Sequence, residues 1–142
     1  QLAPVLSRGT YHWVLAFNEA ELSTPAVFAK FDELGLATEP LTVPSELLNA
    51  LVSGDVQALG RTLVNDLEPA ALALRPELRQ VLDAGRELGA IAAMVSGSGP
   101  TVAFLAPNEP AAVDLSVKLS GAGLCRAVKR VSGPVPGARL VV

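Results

Sequence analysis

A glycine-rich segment between two apolar runs is the first candidate for chemistry in this sequence. It reads Ser96-Gly97-Ser98-Gly99-Pro100-Thr101 and combines two glycines with three hydroxyl side chains. Glycine adopts positive φ readily, so successive backbone N–H groups can point at one anion, and no carboxylate is present to repel it. The segment lacks the Gly-Lys-Ser/Thr of a P-loop and the third glycine of a dinucleotide fingerprint. Two interpretations stay open: a phosphate-binding loop, or a hairpin whose glycines only satisfy turn geometry.

A second polar group, Asn65-Asp66-Leu67-Glu68, falls on a predicted helix. Asn65 and Glu68 are three residues apart, so a helix would place them on roughly the same face. There the group could hold a ligand hydroxyl or a hydrated cation. The alternative is a solvated polar face or a hydrogen bond between helices.

Other polar and aromatic residues give weaker signals. His12 has no second histidine or cysteine pair to join it, so packing in the core or at an edge is predicted for it and no metal-ligand residue is assigned. The sequence predicts no Ser/His/Asp triad either, because no Gly-x-Ser-x-Gly motif accompanies the single histidine. Phe28 and Phe31 are three apart on a predicted helix, which is typical of a core. A ring near the start of that helix could instead stack on a planar ligand.

The elements that would position these residues follow from hydrophobic periodicity and capping signals. Alternation predicts a strand over 11–17, and Ser23 as N-cap with Pro25 behind it predicts a helix that ends near Gly35. Helices are also predicted over 45–53, over 55–68 with Asp55 as N-cap and Pro69 bending or ending it, and over 76–88. Short strands over 91–95 and 101–105 flank the glycine segment, and a helix from 109 to 121 or 123 precedes a strand over 124–131.

This order of elements predicts an α+β fold, a ferredoxin-like βαββαβ plait with extra helices in its first crossover. Residues 1–142 are predicted to form a single domain. Half of the residues are hydrophobic and only 18% are charged, which excludes a disordered chain. Because the predicted helices pack on one face of the sheet, we expect a neighbouring domain to cover the other face.

Composition also limits the partners. Eleven basic against fourteen acidic residues give a net charge of −3, and no basic stripe is present, so we expect no nucleic acid partner. No apolar stretch approaches the ~20 residues that span a bilayer, so no membrane association is expected. A single cysteine fits a reducing, cytoplasmic compartment. The start at Gln1, without methionine or a signal peptide, predicts that the chain is a fragment of a longer one.

Four motifs occur together and in order along the chain. They are Arg8-Gly9-Thr10-Tyr11-His12-Trp13, Ser23-Thr24-Pro25-Ala26-Val27-Phe28, Asn65-Asp66-Leu67-Glu68 and Val95-Ser96-Gly97-Ser98-Gly99-Pro100-Thr101-Val102-Ala103-Phe104. The combination resembles the C-terminal domain of the GHMP-type small-molecule kinases over nearly all of the chain. The resemblance implies ATP-dependent phosphorylation of a small-molecule hydroxyl. It also implies a missing N-terminal domain that carries the catalytic lysine and aspartate and binds most of the ATP with Mg²⁺.

The resemblance implies roles for particular residues, none of them catalytic. The phosphate-facing residues would be Gly97, Ser98, Gly99 and Thr101. Ser-Thr-Pro-x-x-Phe and Asn-Asp-x-Glu are similar to members that act on diphosphocytidyl methylerythritol in non-mevalonate isoprenoid biosynthesis. In such a member Thr24, Pro25 and Phe28 would line the cytidine pocket, with Phe28 stacked on cytosine, while Asn65, Asp66 and Glu68 could give polar support. The alternative function is a non-catalytic ferredoxin-like module that binds a small ligand or a protein.

Overall fold

One four-stranded sheet with six helices makes up the described part of the chain, residues 5–19, 21–37 and 43–137 of a computed structural model. In chain order the elements are β1 (Tyr11–Phe17), α1 (Thr24–Glu33), α2 (Ser45–Ser53), α3 (Val56–Thr62), α4 (Glu68–Leu74), α5 (Leu78–Glu87), β2 (Ala92–Val95), β3 (Val102–Ala106), α6 (Glu109–Ala122) and β4 (Ala127–Gly133). The predicted strand β1 and helix α2 have the predicted bounds. The strand β4 starts three residues later than predicted and continues to Gly133.

The sheet has the order β2-β3-β1-β4, and all neighbouring strands are antiparallel. This is the strand order of a βαββαβ plait, so the predicted fold is confirmed, with α1 to α5 inserted in the first crossover. In the register of the sheet, Val102 lies opposite both Ala16 and Val95. The carboxyl ends of β1 and β2 therefore lie beside the glycine segment that precedes β3.

The main core lies on one face of the sheet. Val14, Ala16 and Phe104 are fully buried there against α5 and α6. Helix α5 approaches this face at Gly85, where a Cβ atom would overlap the Phe104 ring. Glycine is required at this position because helix and sheet lie too close for a side chain. A positive φ is not the reason, since Gly85 does not adopt one.

The second face of the sheet is partly covered by helices of the same chain. Tyr11 and Leu105 point to this face and pack with Ala50 of α2 and Leu59 of α3 in a separate apolar cluster. The expectation that helices would cover one face only is therefore wrong, since the long crossover folds α2 and α3 onto the opposite side. Toward the other end of this face Phe17 remains only partly buried.

The helix predicted over 55–68 is two helices. Asp55 does cap α3, since its Oδ1 accepts the Ala58 N–H at 2.9 Å, but α3 ends at Thr62. Leu63 has φ −70 and ψ 126, which is extended backbone. Pro69 lies in the first turn of the next helix, α4, where a missing N–H costs no helical hydrogen bond. Asn65 and Asp66 thus belong to the turn before a helix, and their predicted placement on a helix is wrong.

Among the described residues, no helix is long and apolar enough to cross a membrane.

Candidate functional site

The glycine segment, residues 96–101, forms a tight loop between β2 and β3. The Ser96 N–H donates to the Thr101 carbonyl at 2.8 Å, and the Gly99 N–H donates to the Ser96 carbonyl at 3.0 Å. Gly97 and Gly99 have φ of 58 and 77, in the left-handed region that favours glycine. The loop is therefore closed by hydrogen bonds of its own backbone.

The two glycines of the loop have different surroundings. A Cβ on Gly99 would lie 3.0 Å from Val95 Cγ1 and 3.1 Å from Leu22 Cδ1, so packing as well as φ requires glycine there. A Cβ on Gly97 would meet nothing within 4 Å. Gly97 is exposed, so the space above it is free for a ligand. Turn geometry and packing account for Gly99, whereas the open space is found only above Gly97.

The turn over 65–68 supports the loop from the outer edge of the sheet. Asn65 Nδ2 donates to the carbonyls of Val95 and Gly97, both at 2.8 Å. Glu68 Oε2 accepts the Val95 N–H at 2.7 Å. Two side chains thereby satisfy the outward N–H and C=O of Val95, which a neighbouring strand would otherwise bond. The turn itself is held by the Leu67 N–H, which donates to Asn65 Oδ1 at 3.1 Å.

Of two further polar side chains near this edge, Arg86 forms a hydrogen bond with β2 in the described structure and Asp66 does not. Farther along β2, Arg86 Nη2 donates to the Ala93 carbonyl at 3.0 Å. Asp66 lies in the same turn as Asn65 but is exposed. Of the three predicted polar residues of the turn, Asn65 and Glu68 contact β2 or the loop, and no hydrogen bond of Asp66 to the loop is present in the described structure. Contact of any of the three with a ligand stays a prediction.

Asn18 holds the opposite side of the loop and was not among the predicted site residues. Its Nδ2 donates to the Pro100 carbonyl at 2.6 Å. Continuing the register of β1 and β3 past Ala16 and Val102 places Asn18 opposite Pro100. Because proline has no N–H, backbone pairing cannot continue normally at this point, and the amide of Asn18 satisfies the carbonyl instead. A polar residue directly after a strand was the only signal in the sequence.

The start of α1 lies against the loop. The hydroxyl oxygens of Thr24 and Ser98 are 2.9 Å apart and share a hydrogen bond. Phe28 follows one helical turn after Thr24, on the same side of α1, and exposes 51% of its surface. Phe28 therefore lies outside the core of the described residues, whereas Val27 beside it is fully buried. The structure thus brings two predicted segments, 24–28 and 97–101, to one surface.

The hydrogen bonds of the described structure leave two adjacent N–H groups of the loop without a partner. The carbonyls of Ser96, Gly97, Pro100 and Thr101 each accept a hydrogen bond from the protein. Within the part of the chain that the structure describes, the N–H groups of Gly97 and Ser98 have no protein acceptor. Adjacent free N–H groups in a glycine loop can donate together to one phosphate oxygen. The arrangement can bind an anion, but it offers no general base.

No metal centre is formed by the described residues, since they hold no group of three His, Cys, Asp or Glu side chains that could ligate an ion. The pKa of the Cys125 thiol is raised because burial disfavours the thiolate. Cys125 is therefore a weak nucleophile at neutral pH.

The chain is similar in sequence to curated kinases. The chain is 54% identical over 143 residues to the 4-diphosphocytidyl-2-C-methyl-D-erythritol kinase of Nocardia farcinica, with 99% of the chain and 47% of the relative aligned. It is 55% identical to the kinase of the same name from Mycolicibacterium smegmatis, over 99% of the chain and 45% of the relative. The chain therefore spans about half the length of the curated relatives it matches.

Two solved structures that superpose on the chain are named as kinases. A crystal structure of 4-(cytidine 5'-diphospho)-2C-methyl-D-erythritol kinase superposes with a TM-score of 0.70 at 25% identity, over 89% of this chain and 44% of the other. Mevalonate kinase of L. major superposes with a TM-score of 0.72 at 19% identity, over 92% of this chain and 44% of the other, which shows the fold alone. The family model for the C-terminal domain of GHMP kinases matches residues 47–124. Since that match covers more than half of the chain, the chain belongs to the GHMP kinases, as their C-terminal part.

Proposed function

We propose that this chain is the C-terminal domain of a 4-diphosphocytidyl-2-C-methyl-D-erythritol kinase. In this proposal the glycine loop faces the phosphates, and the surface of α1 that carries Thr24, Pro25 and Phe28 lines the pocket for the cytidine. One observation carries the proposal: the hydrogen bond between Thr24 and Ser98 joins the two surfaces at 2.9 Å. The identity above 50% to two kinases of that name supports the choice of substrate.

Membership of the GHMP kinases implies the use of ATP. In the proposed reaction a hydroxyl oxygen of the methylerythritol bonds to the γ-phosphorus, and the bond from that phosphorus to the oxygen retained by ADP breaks. The hydroxyl proton passes to a base. The part of the chain that the structure describes presents donors toward a phosphate but no base beside them, so we assign the base to the N-terminal half of the complete enzyme.

This chain would then contribute by positioning. The free N–H groups of Gly97 and Ser98 would fix phosphate oxygens, and Phe28 would fix the base of the other substrate. The described residues hold no group of three side chains that could ligate a metal ion, and Mg²⁺ bound with ATP would be held largely by phosphates and waters. We therefore derive no step through the metal in this domain. Cytoplasmic localisation stays a prediction from the composition.

The substitution Gly97→Asn in the full-length enzyme tests the phosphate role. Asparagine tolerates positive φ, and its side chain would enter the open space above residue 97, so the fold should persist while phosphate approach is blocked. We expect kcat/KM for ATP to fall about tenfold or more, which corresponds to about 1.4 kcal/mol of lost transition-state binding. The measurement is steady-state kinetics together with a thermal unfolding curve.

Gly99→Ala is the matched control. Its Cβ would contact Val95 and Leu22 within the protein, so we expect a lower unfolding temperature as the first effect. Unchanged kinetics of Gly97→Asn with the diphosphocytidyl substrate would overturn the phosphate role of the loop. Absence of ATP-dependent phosphorylation by the unmodified full-length protein would instead favour the non-catalytic binding module.

A further inference from the structure

We infer that Asn18 and Asn65 are positioning residues that turn the glycine loop into an anion site, an inference that rests on the proposed function. Each uses its side-chain amide to donate to backbone carbonyls in or next to the loop. Asn18 does so from the end of β1, and Asn65 from the outer edge of β2. Asn18 bonds Pro100 at 2.6 Å, and Asn65 bonds Val95 and Gly97 at 2.8 Å. Because the two amides donate to backbone carbonyls, we infer that both act through the backbone of the loop.

The physical reason is the competition between donors and acceptors within a short glycine loop. The N–H and C=O of one peptide group point in opposite directions. If the peptide plane flips, the C=O therefore points where the N–H pointed before. A carbonyl turned toward the open space above Gly97 would repel a phosphate oxygen there. The amide of Asn65 holds the Gly97 carbonyl toward the sheet edge, and a peptide group fixed by its carbonyl also fixes the N–H of the following residue, Ser98. The free N–H of Ser98 thus faces outward because Asn65 is present.

Asn18 acts on the other end of the loop. The Pro100 carbonyl has no strand partner on this side to hold it, because the strand pairing of β1 with β3 ends at Ala16 and Val102. The 2.6 Å bond from Asn18 takes up this carbonyl and ties the loop to the end of β1. Together with the Ser96 to Thr101 backbone bond of 2.8 Å, the two amides fix the loop before a ligand arrives. Such preorganisation saves the reorganisation that an unsupported loop would require on binding.

Isosteric Asn→Asp substitutions in the full-length enzyme test the inference. Asn65→Asp keeps an oxygen for the Leu67 N–H, which preserves the turn, but it places a carboxylate against two carbonyls in place of two donors. Asn18→Asp likewise removes the donor to Pro100. We expect each variant to weaken binding of inorganic pyrophosphate and to raise KM for ATP, about tenfold, with KM for the cytidyl substrate changed less than threefold.

A purely structural role would lower the unfolding temperature but leave both KM values of the folded fraction unchanged, and that result would overturn the inference. Asn49→Asp is the matched control, because it makes the same change on the exposed surface of α2. The control should behave as the parent enzyme, and an equal rise in KM for ATP in Asn49→Asp would show a general charge effect and contradict the inference. Loss of phosphate binding in Gly97→Asn with normal binding in both Asn variants would overturn this inference alone, whereas normal binding in all three would overturn the proposed function of the loop.

Discussion

Phe28 is the most exposed aromatic side chain near the loop, and its exposure has an energetic cost that a core residue would not carry. A phenylalanine with half of its surface in water forgoes part of the roughly 1.5 to 3 kcal/mol that full burial would give. Stacking on a planar base would recover that contact in the complex. A substitution at Phe28 is therefore expected to change binding more than folding.

We expect Phe28→Leu in the full-length enzyme to raise KM for the cytidyl substrate about tenfold, with KM for ATP little altered. Leucine is apolar but not planar, so it loses stacking worth roughly 1 to 3 kcal/mol per base. Phe28→Tyr keeps the ring and should be near neutral. Steady-state kinetics with each substrate varied in turn separates the two constants.

Phe31, one turn farther along α1, gives the control. Phe31 packs against the main core, so Phe31→Leu should cost about 1.5 kcal/mol of stability or less and leave both KM values unchanged. If Phe28→Leu binds the cytidyl substrate as the parent does, Phe28 does not belong to the cytidine pocket.

Helix caps show how much each element depends on a single side chain. Asp55 accepts the Ala58 N–H at 2.9 Å at the start of α3, whereas Ser23 stands at the N-cap of α1 without a side-chain hydrogen bond. We expect Asp55→Ala to lower the free energy of unfolding by about 1 kcal/mol, because one orphan donor loses its partner. Ser23→Ala should change it by only a few tenths of that. Urea unfolding of the two variants in parallel measures the difference, and equal losses would contradict the role of the Asp55 cap.

The sequence predicted most elements because their signals are local. The alternation in β1, the Asp55 cap and Gly123, whose φ of 66 ends α6, all depend on residues next to one another. The break between α3 and α4 could not be predicted in this way, because the apolar residues continue through it and Pro69 is compatible with an end or a beginning of a helix. What holds the turn over 65–68 out of a helix is its bonding to Val95 and Gly97, some thirty residues away in sequence.

In the candidate site too, local motifs could be predicted from the sequence and contacts between distant residues could not. The glycine loop and the start of α1 were predicted from motifs, and the structure places them together through Thr24 and Ser98. The part played by Asn18 depends on the strand register, which brings residues 18 and 100 opposite each other. A pairing over that distance leaves no mark in a single sequence, since asparagine after a strand is ordinary turn composition.

On the scale of the whole molecule, the chain spans about half the length of the curated relatives it matches, and we have assigned the catalytic base to the other half. We expect the purified chain alone to show no ATP-dependent phosphorylation of diphosphocytidyl methylerythritol, because the proposed catalytic base belongs to the N-terminal half of the complete enzyme. The full-length enzyme, assayed in parallel at equal concentration, should be active. A radiolabelled phosphate transfer assay detects slow turnover, and any transfer by the chain above a mock preparation would contradict the assignment of the base to the other half.

The covered edge of β2 also affects the tendency of the protein to aggregate. Ala92–Val95 is a short apolar strand at the border of the sheet, the kind of segment that recruits a strand from a second molecule and starts aggregation. Here Glu68 and Asn65 occupy the outward groups of Val95, and Arg86 occupies the Ala93 carbonyl. An approaching strand would find these backbone groups already bonded and charged side chains in its path. The turn over 65–68 thus also disfavours β-pairing between molecules at this edge.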